Sequence, residues 1–108
     1  MKYRYIRLYR LVDSDQRVTE EEVRKLADFI KHRASLNNKL SYYVITIAER
    51  NSTDGLVVIS GVDENRVNYE VDLIVGFVES SLKTIKAKVV DTDKIEYAIP
   101  LPGRARNF

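Results

Sequence analysis

The fold of this chain depends on residues 67–82, which read VNYEVDLIVGFVESSL. As a strand, the segment would place an apolar or aromatic side chain at every second position from Val67 to Phe77. Its β-branched residues and Gly76 are poor helix formers, so local propensity leans towards a strand. As a helix, the segment would carry two apolar stripes. The first stripe contains Val67, Val71, Ile74, Val75, Val78 and Leu82, and the second contains Tyr69, Leu73 and Phe77.

Two apolar stripes on one helix would have different neighbours. The larger stripe would pack on the protein's own sheet, and the smaller one is our candidate protein interface, formed by Tyr69, Leu73 and Phe77. Either Asp63 or Asn65 is suited to cap the start of such a helix. The sequence of this segment therefore fits both a strand and a helix.

A second helix is indicated over residues 20–34. Thr19 is a suitable N-cap, Glu22 would complete a capping box, and Val18 with Val23 would form a hydrophobic staple. Apolar residues recur at helical spacing, at Val23, Leu26, Ala27, Ile30 and Ala34. His32 lies on the polar side of this helix, and a lone histidine without a cysteine or a second histidine is poor evidence for a metal site.

The remaining segments predict β-strands at residues 2–11, 42–48, 56–59 and 84–90, with a turn at 51–55 and a possible extra strand at 94–99. With a helix over 67–82, the order is βαββαβ. This order is typical of the ferredoxin-like two-layer sandwich, which is α+β with an antiparallel sheet. Both helices would cover one face of the sheet, and the last main strand would lie beside the first.

The size and charge of the chain limit its class. A chain of 108 residues suits one domain, which we place at residues 1–100, followed by a basic tail at 101–108. Its formal net charge is only +2, but cations crowd the first and the last strand, whereas residues 61–82 are acidic. There is no cysteine, which excludes disulfides and thiolate chemistry. No apolar run suits a membrane span or a signal peptide, so we expect a cytoplasmic protein.

The first predicted strand has unusual chemistry. Residues 2–11, KYRYIRLYRL, hold three tyrosines and four cations and no acidic residue. Alternation would place Tyr3, Tyr5, Arg7, Tyr9 and Leu11 on one side of the strand, and Arg4, Ile6, Leu8 and Arg10 on the other. Flat aromatic rings beside guanidinium groups suit unpaired bases and phosphates. The same pattern is also typical of amphipathic tyrosines beside a core and of solubilising arginines.

No catalytic pattern stands out in the sequence. A phosphate-binding P-loop, a dinucleotide glycine fingerprint and the HExxH and GxSxG motifs are all absent. Asp91 and Asp93 would lie near the end of a strand, but two carboxylates without a third ligand are weak evidence for a cation site. The sequence therefore favours a binding module over an enzyme acting alone, and we expect the protein to bind no metal or other cofactor by itself.

The order of these features resembles a known family. The segments that carry the resemblance are Arg4-Tyr5-Ile6 in the first strand, the capped helix after a polar loop, residues 55–58 opening the third strand, Asn68-Tyr69 with the apolar run 71–78, and residues 85–95. Together they resemble protein component 2 of archaeal ribonuclease P, a small ferredoxin-like subunit of that ribozyme. Two stretches differ: residues 90–95 lack the serine and glycine usual in the family, and residues 59–61 lack a usual basic residue.

The resemblance has several implications. It favours a helix over residues 67–82. It implies a non-catalytic RNA-binding subunit that supports 5′-leader processing of transfer RNA, in which the RNA and its Mg²⁺ ions perform the cleavage. The expected partners are a structured RNA and a larger barrel-like protein subunit, in a two-plus-two assembly. The phosphate contacts would come from Arg4, Arg7, Arg10, Lys86 and Lys88, and the stacking contacts from Tyr3, Tyr5 and Tyr9.

Two alternatives remain open at the level of sequence. In the first, the stripe of Tyr69, Leu73 and Phe77 joins a homo-oligomer or a hetero-oligomer, and the chain is a protein-interaction module without an RNA role. In the second, Asp91 and Asp93 serve a metal-dependent nuclease or another small enzyme. Salt-dependent RNA binding, salt-indifferent oligomerisation and divalent-dependent cleavage distinguish these three functions.

Overall fold

The computed structural model describes residues 1–11, 15–49 and 52–90. The elements are β1 (Lys2–Arg10), α1 (Gln16–Leu36), β2 (Ser41–Glu49), β3 (Ser52–Gly61), α2 (Glu64–Ser81) and β4 (Ile85–Val90). The strands form one antiparallel sheet in the order β2-β3-β1-β4. The predicted ferredoxin-like βαββαβ fold is therefore confirmed. The possible strand at 94–99 and the tail at 101–108 lie outside the described residues.

The ambiguous segment is helical, and its N-cap is Asp63. The Asp63 carboxylate accepts hydrogen bonds from the backbone amides of Asn65 at 3.0 Å and Arg66 at 3.4 Å. The predicted core stripe then buries Val67, Val71, Ile74 and Val78 in the main core. Because a helix brings all of these residues to one face above the sheet, tertiary packing outweighs the slight local preference for a strand.

The start of α1 differs from the prediction. Asp15 is the N-cap, and its carboxylate accepts a hydrogen bond from the amide of Arg17 at 2.8 Å. The predicted capping box and hydrophobic staple are therefore wrong. Thr19 lies inside the helix, where its hydroxyl donates to the carbonyl of Asp15. Val18 and Val23, the predicted staple pair, are both exposed.

Glu22 has a long-range role instead of a capping role. Its buried carboxylate accepts hydrogen bonds from the amides of Lys83 at 2.7 Å and Thr84 at 2.8 Å, and from the Thr84 hydroxyl at 2.6 Å. Burial by itself raises the pKa of the Glu22 carboxyl, but these hydrogen bonds outweigh burial and lower the pKa below its usual range. Glu22 thus joins the first half of α1 to the turn that leads into β4.

A second buried carboxylate joins three elements. Glu70 of α2 accepts hydrogen bonds from Nε and Nη2 of Arg33 in α1, at 3.0 and 2.7 Å, and from the Tyr42 hydroxyl in β2, at 2.7 Å. Burial alone would raise the pKa of Glu70, but the Arg33 and Tyr42 hydrogen bonds lower it overall. Burial and the hydrogen bond to Glu70 raise the pKa of Tyr42, so the phenol stays protonated as a donor. No described buried side-chain polar atom lacks a partner.

The hairpin between β2 and β3 is longer than predicted. β3 begins at Ser52, so the predicted turn over 51–55 is wrong for residues 52–55, which pair with β2 and β1. Arg50 and Asn51 lie outside the described residues. Among the described helices, none is long and apolar enough to cross a membrane.

The first prediction concerns the Glu22 contact. Glu22→Ala should lower the free energy of unfolding by about 1–3 kcal/mol for each amide left without a partner, because Lys83 and Thr84 then lose their carboxylate acceptor. Chemical denaturation measures this difference. The matched control is Glu21→Ala, since Glu21 is an exposed neighbour on the same helix. Equal effects of the two variants would show that the Glu22 contact contributes nothing to stability.

The second prediction concerns acid stability. The pKa values of Glu22 and Glu70 lie below their ordinary value of 4.5 in the folded protein. Their contribution to stability is therefore present above the unfolded-state pKa and is lost as the pH falls through the lower folded-state pKa. For the wild type, the midpoint of chemical denaturation should therefore decrease as the pH is lowered from about 5 to about 2, which is the usual range of carboxylate titration. The midpoint of Glu70→Gln should fall less steeply, and parallel curves would contradict the assignment.

Candidate nucleic-acid interface

The pairing of β1 with β4 brings cations and tyrosines together. In the antiparallel register, Arg7 lies opposite Lys88 and Tyr9 lies opposite Lys86. Directly opposite residues share one face of a sheet. This is the face away from the helices, because the neighbouring β1 residue Ile6 packs into the helix-covered core. We call the group Tyr3, Arg7, Tyr9, Lys86 and Lys88 the cationic face.

The members of the cationic face differ in accessibility. Tyr3 is 44% exposed and Tyr9 is 36% exposed, so both rings offer surface to a ligand. Lys88 is exposed and Lys86 is half-buried. Arg7 is exposed but already interacts within the chain. The two lysines are therefore the clearer candidates for contact with an outside anion.

Tyr5 lies on the same side of the sheet but is not available at the surface. It is only 5% exposed and forms a second apolar cluster with Leu56 and Val58, against which Ile45 and Val90 pack. The alternation that predicted its face was confirmed by the register, but alternation carries no information on what covers that face. Tyr5 is thus a core residue and not a stacking platform, and the centre of this side of the sheet is buried.

Two of the predicted phosphate contacts lie on the opposite side of the sheet. Arg4 donates from Nη2 to the Glu64 carboxylate at 3.0 Å, and from Nε to the Asn68 side-chain oxygen at 3.1 Å. Arg10 lies in register with Ile85 and lines a groove beside α1. The structure therefore does not bring Arg4 and Arg10 together with Arg7, Lys86 and Lys88. Strand alternation already separates these two sets in the sequence.

The two sides of the molecule differ in charge. In a chain with 18 basic and 16 acidic residues, β1 and β4 contain no Asp or Glu, whereas the register places Asp54 of β3 opposite Tyr9 and Glu49 of β2 opposite Ser52 on the same side of the sheet. Both helices carry exposed acidic residues on the other side: Glu20, Glu21, Asp28, Glu64, Asp72 and Glu79. The small net charge of +2 thus conceals a local excess of cations on β1 and β4.

The predicted protein interface is divided in the structure. Tyr69 is exposed and Leu73 is half-buried. Phe77, however, stacks on Phe29 of α1 with ring centroids 4.3 Å apart and an angle of 2° between the planes. Phe77 therefore contributes to contact between the two helices of one chain, and Tyr69 and Leu73 are the more accessible part of the stripe.

One candidate residue was missed by sequence reasoning. Tyr43 on the edge strand β2 lies opposite Val58, which pairs with Tyr5 on its other side. Tyr43 therefore lies on the same side of the sheet as the cationic face and is exposed. Alternation in residues 42–48 divides their side chains between the two faces of the strand. Only the register with β3 shows which of these faces lies on the side of the sheet away from the helices.

The metal-ligand candidates of the sequence are His32, Asp91 and Asp93. In residues 1–11, 15–49 and 52–90, no group of three or more His, Asp or Glu side chains is placed to hold a metal ion. His32 is exposed on α1. Asp91 and Asp93, the carboxylates of the alternative enzyme hypothesis, lie outside the described residues.

Comparisons with known proteins bear on the fold alone. No protein-family model matches the chain. No curated protein matches it either. Among solved structures, the chain is similar to a de novo designed protein, Ferredog-Diesel, with a TM-score of 0.52 and 17% sequence identity over 83% of this chain and 85% of that one. This likeness supports the ferredoxin-like fold and says nothing about function.

Proposed function

We propose that this chain binds structured RNA through the cationic face, as a non-catalytic protein subunit of ribonuclease P. The observation that carries the RNA proposal is the pairing of β1 with β4, which places Lys86 opposite the exposed Tyr9 and Lys88 opposite Arg7 on the side of the sheet away from the helices. The proposal of a ribonuclease P subunit rests on the resemblance of the sequence to that family.

The spacing of the two lysines suits a phosphate backbone. Side chains two positions apart on a strand are separated by roughly 6.5–7 Å, and neighbouring strands by roughly 4.8 Å. Lys86 and Lys88 together with Arg7 therefore form a compact cluster of positive charge. Such a cluster binds phosphates through Coulomb attraction and through the release of counterions from the RNA.

The tyrosines at the two ends of β1 extend this cluster with aromatic surface. Tyr3 and Tyr9 are exposed on the same side as the lysines. Stacking of a base on an aromatic side chain contributes about 1–3 kcal/mol and tolerates any base sequence. Phosphate contacts and stacking together favour a single-stranded or distorted RNA element over a regular duplex, whose bases are already stacked.

The cationic face is too small for tight binding by itself. The two lysines release few counterions, so the salt dependence of the isolated chain should have a slope of only about −1.4 to −1.8. Modest affinity suits one subunit of a larger particle, in which several surfaces contact the RNA at the same time. We propose that the larger barrel-like subunit contacts the accessible part of the α2 stripe, Tyr69 and Leu73, in a two-plus-two assembly.

Within that assembly the chemistry belongs to the RNA. Cleavage of the 5′ leader would use Mg²⁺ bound by the RNA, and this chain would neutralise and position phosphates. The proposal places the protein in the cytoplasm of an archaeal cell, where transfer-RNA precursors are processed. In the alternative function, Tyr69 and Leu73 would serve a protein-interaction module and the cations would only increase solubility.

The third prediction tests the RNA interface. Replacing Lys86 and Lys88 together with alanine should weaken RNA binding and make its logarithmic salt dependence shallower by about 0.7–0.9 for each lost phosphate contact. The matched control is Arg24→Ala with Lys31→Ala, which removes the same charge from exposed positions on α1. Fluorescence anisotropy at several salt concentrations measures both slopes.

The control decides between local and general electrostatics. Equal loss in both double variants would show that only net charge matters, and unchanged slopes in both would leave the protein-interaction module as the better account. The fold should survive in every case, because substitutions of surface charges that form no buried contact change stability by only about 0.5 kcal/mol.

The fourth prediction tests the ribonuclease P assignment separately. In a particle reconstituted from the catalytic RNA, the barrel-like subunit and this chain, the Lys86 and Lys88 double variant should reduce magnesium-dependent processing of a transfer-RNA precursor. The chain alone should show no cleavage. RNA binding that depends on the lysines, without any effect on processing, would support an RNA-binding protein and refute the ribonuclease P role.

A further inference from the structure

An apolar groove separates α1 from the sheet on the face opposite to the cationic face. Its volume is ≈ 180 Å³, and aliphatic side chains form both of its walls. The wall from α1 contains Val23, Leu26 and Ile30, and the wall from the sheet contains Leu8, Val44 and Ile85. The groove is open to solvent, because Val23 is 52% exposed and Val44 is 55% exposed.

The missing side chain of Gly55 helps to create this space. Gly55 lies opposite Leu8 in the register of β1 and β3, so it belongs to the floor of the groove. A Cβ atom built on Gly55 would lie 3.5 Å from Cβ of Leu8, which is an ordinary contact distance. A side chain at this position is therefore sterically possible and would project into the groove.

A positive charge stands at the rim of the groove. Arg10 lines it and is half-buried. Within the described part of the chain, the guanidinium of Arg10 has no hydrogen-bond or ion-pair partner, unlike the guanidinium groups of Arg4 and Arg33. A guanidinium remains charged at any physiological pH, and partial burial makes a counterion favourable. The groove thus combines an aliphatic interior with a single anion-binding group.

We propose that this groove binds an aliphatic carboxylate of medium length, with its chain between Val23 and Leu8 and its carboxylate on Arg10. A volume of ≈ 180 Å³ corresponds to about six water molecules in the liquid. This space suits a chain of roughly that number of methylene groups, whose volume is similar to that of water. A planar carboxylate matches the forked donors of a guanidinium.

This site is independent of the proposed RNA interface. Leu8 and Arg10 of the groove alternate with Arg7 of the cationic face along β1, so the two ligands would bind on opposite sides of the sheet. Tyr9 also lines the groove, and no variant that tests either site changes it. Failure of one proposal therefore leaves the other unchanged.

The experiment titrates the full chain with sodium octanoate and follows backbone amide signals by NMR. Saturable shifts should appear at Val23, Val44 and Gly55. Hexanoate should bind about fifteen-fold more weakly, because each methylene contributes about fourfold. Octanol and octylamine have the same chain without the anionic group, so both should bind more weakly than octanoate.

Three variants distinguish the parts of the site. Arg10→Gln should reduce octanoate affinity to that of octanol and leave octanol binding unchanged, whereas Arg17→Gln, an exposed cation outside the groove, should have no effect. Gly55→Leu should abolish binding of both ligands by filling the floor. If Gly55→Leu does not fold, Val44→Gln supplies the same test from an exposed position on the wall.

The proposal is overturned by any of three results. The first is the absence of saturable binding of octanoate at millimolar concentration. The second is equal affinity for octanoate and octylamine, which would remove the role of Arg10. The third is saturable binding whose shifts lie on the cationic face, or which survives both Gly55→Leu and Val44→Gln.

Discussion

Pairing of β1 on both of its edges is the constraint on which the rest of the structure depends. Antiparallel partners hold β1 in register with β3 on one side and with β4 on the other. Its alternation therefore assigns Ile6 and Leu8 to the helix-covered core, and Arg7 and Tyr9 to the opposite face. A slip of one residue would exchange these faces and bury arginine among aliphatic side chains. The register of β1 thus determines both which residues form the core and where the cations lie.

The helices are held on this sheet by unequal means. α2 buries an aliphatic stripe directly on the central strands, and its Phe77 contacts Phe29 of α1. α1 relies in addition on two buried carboxylate contacts, Glu22 with the turn before β4 and Glu70 with Arg33. Charged hydrogen bonds of this kind impose a fixed geometry on the groups that they join. They hold α1 at both ends, and the apolar groove remains open between α1 and the sheet.

Much of the fold was predictable from the sequence, because it depends on patterns within single segments. The helical periodicity of α2 correctly indicated that Val67, Val71, Ile74 and Val78 would enter the core, although the choice of a helix over 67–82 required information beyond local propensity. The alternation of β1 correctly separated its two faces. The predicted N-cap of α1 was wrong because Asp15 and Thr19 are both suitable cap residues. The predicted role of Glu22 was wrong because its hydrogen-bond donors are Lys83 and Thr84, far along the chain. Contacts so distant along the chain leave no local signal in one sequence.

The candidate site was predictable to a lesser degree for the same reason. Alternation separates Arg7 from Arg4 and Arg10, and the βαββαβ topology places Lys86 and Lys88 beside β1. Neither rule reveals that Tyr5 is covered, that Arg4 is paired with Glu64, or that Phe77 contacts α1. Each of these facts depends on a partner from another element.

The distribution of charge explains why composition is a poor guide to the function of this chain. The 16 acidic residues of the chain offset all but two of its 18 basic residues, so the net charge is +2. Salt screens exposed charges beyond about 8–10 Å, so a phosphate close to Lys88 experiences mainly the nearby cations of its own face. The relevant quantity is therefore the local charge of one sheet face. That local charge follows from the alternation of β1 and from its pairing with β4, which connects the folding constraint to the proposed recognition of RNA.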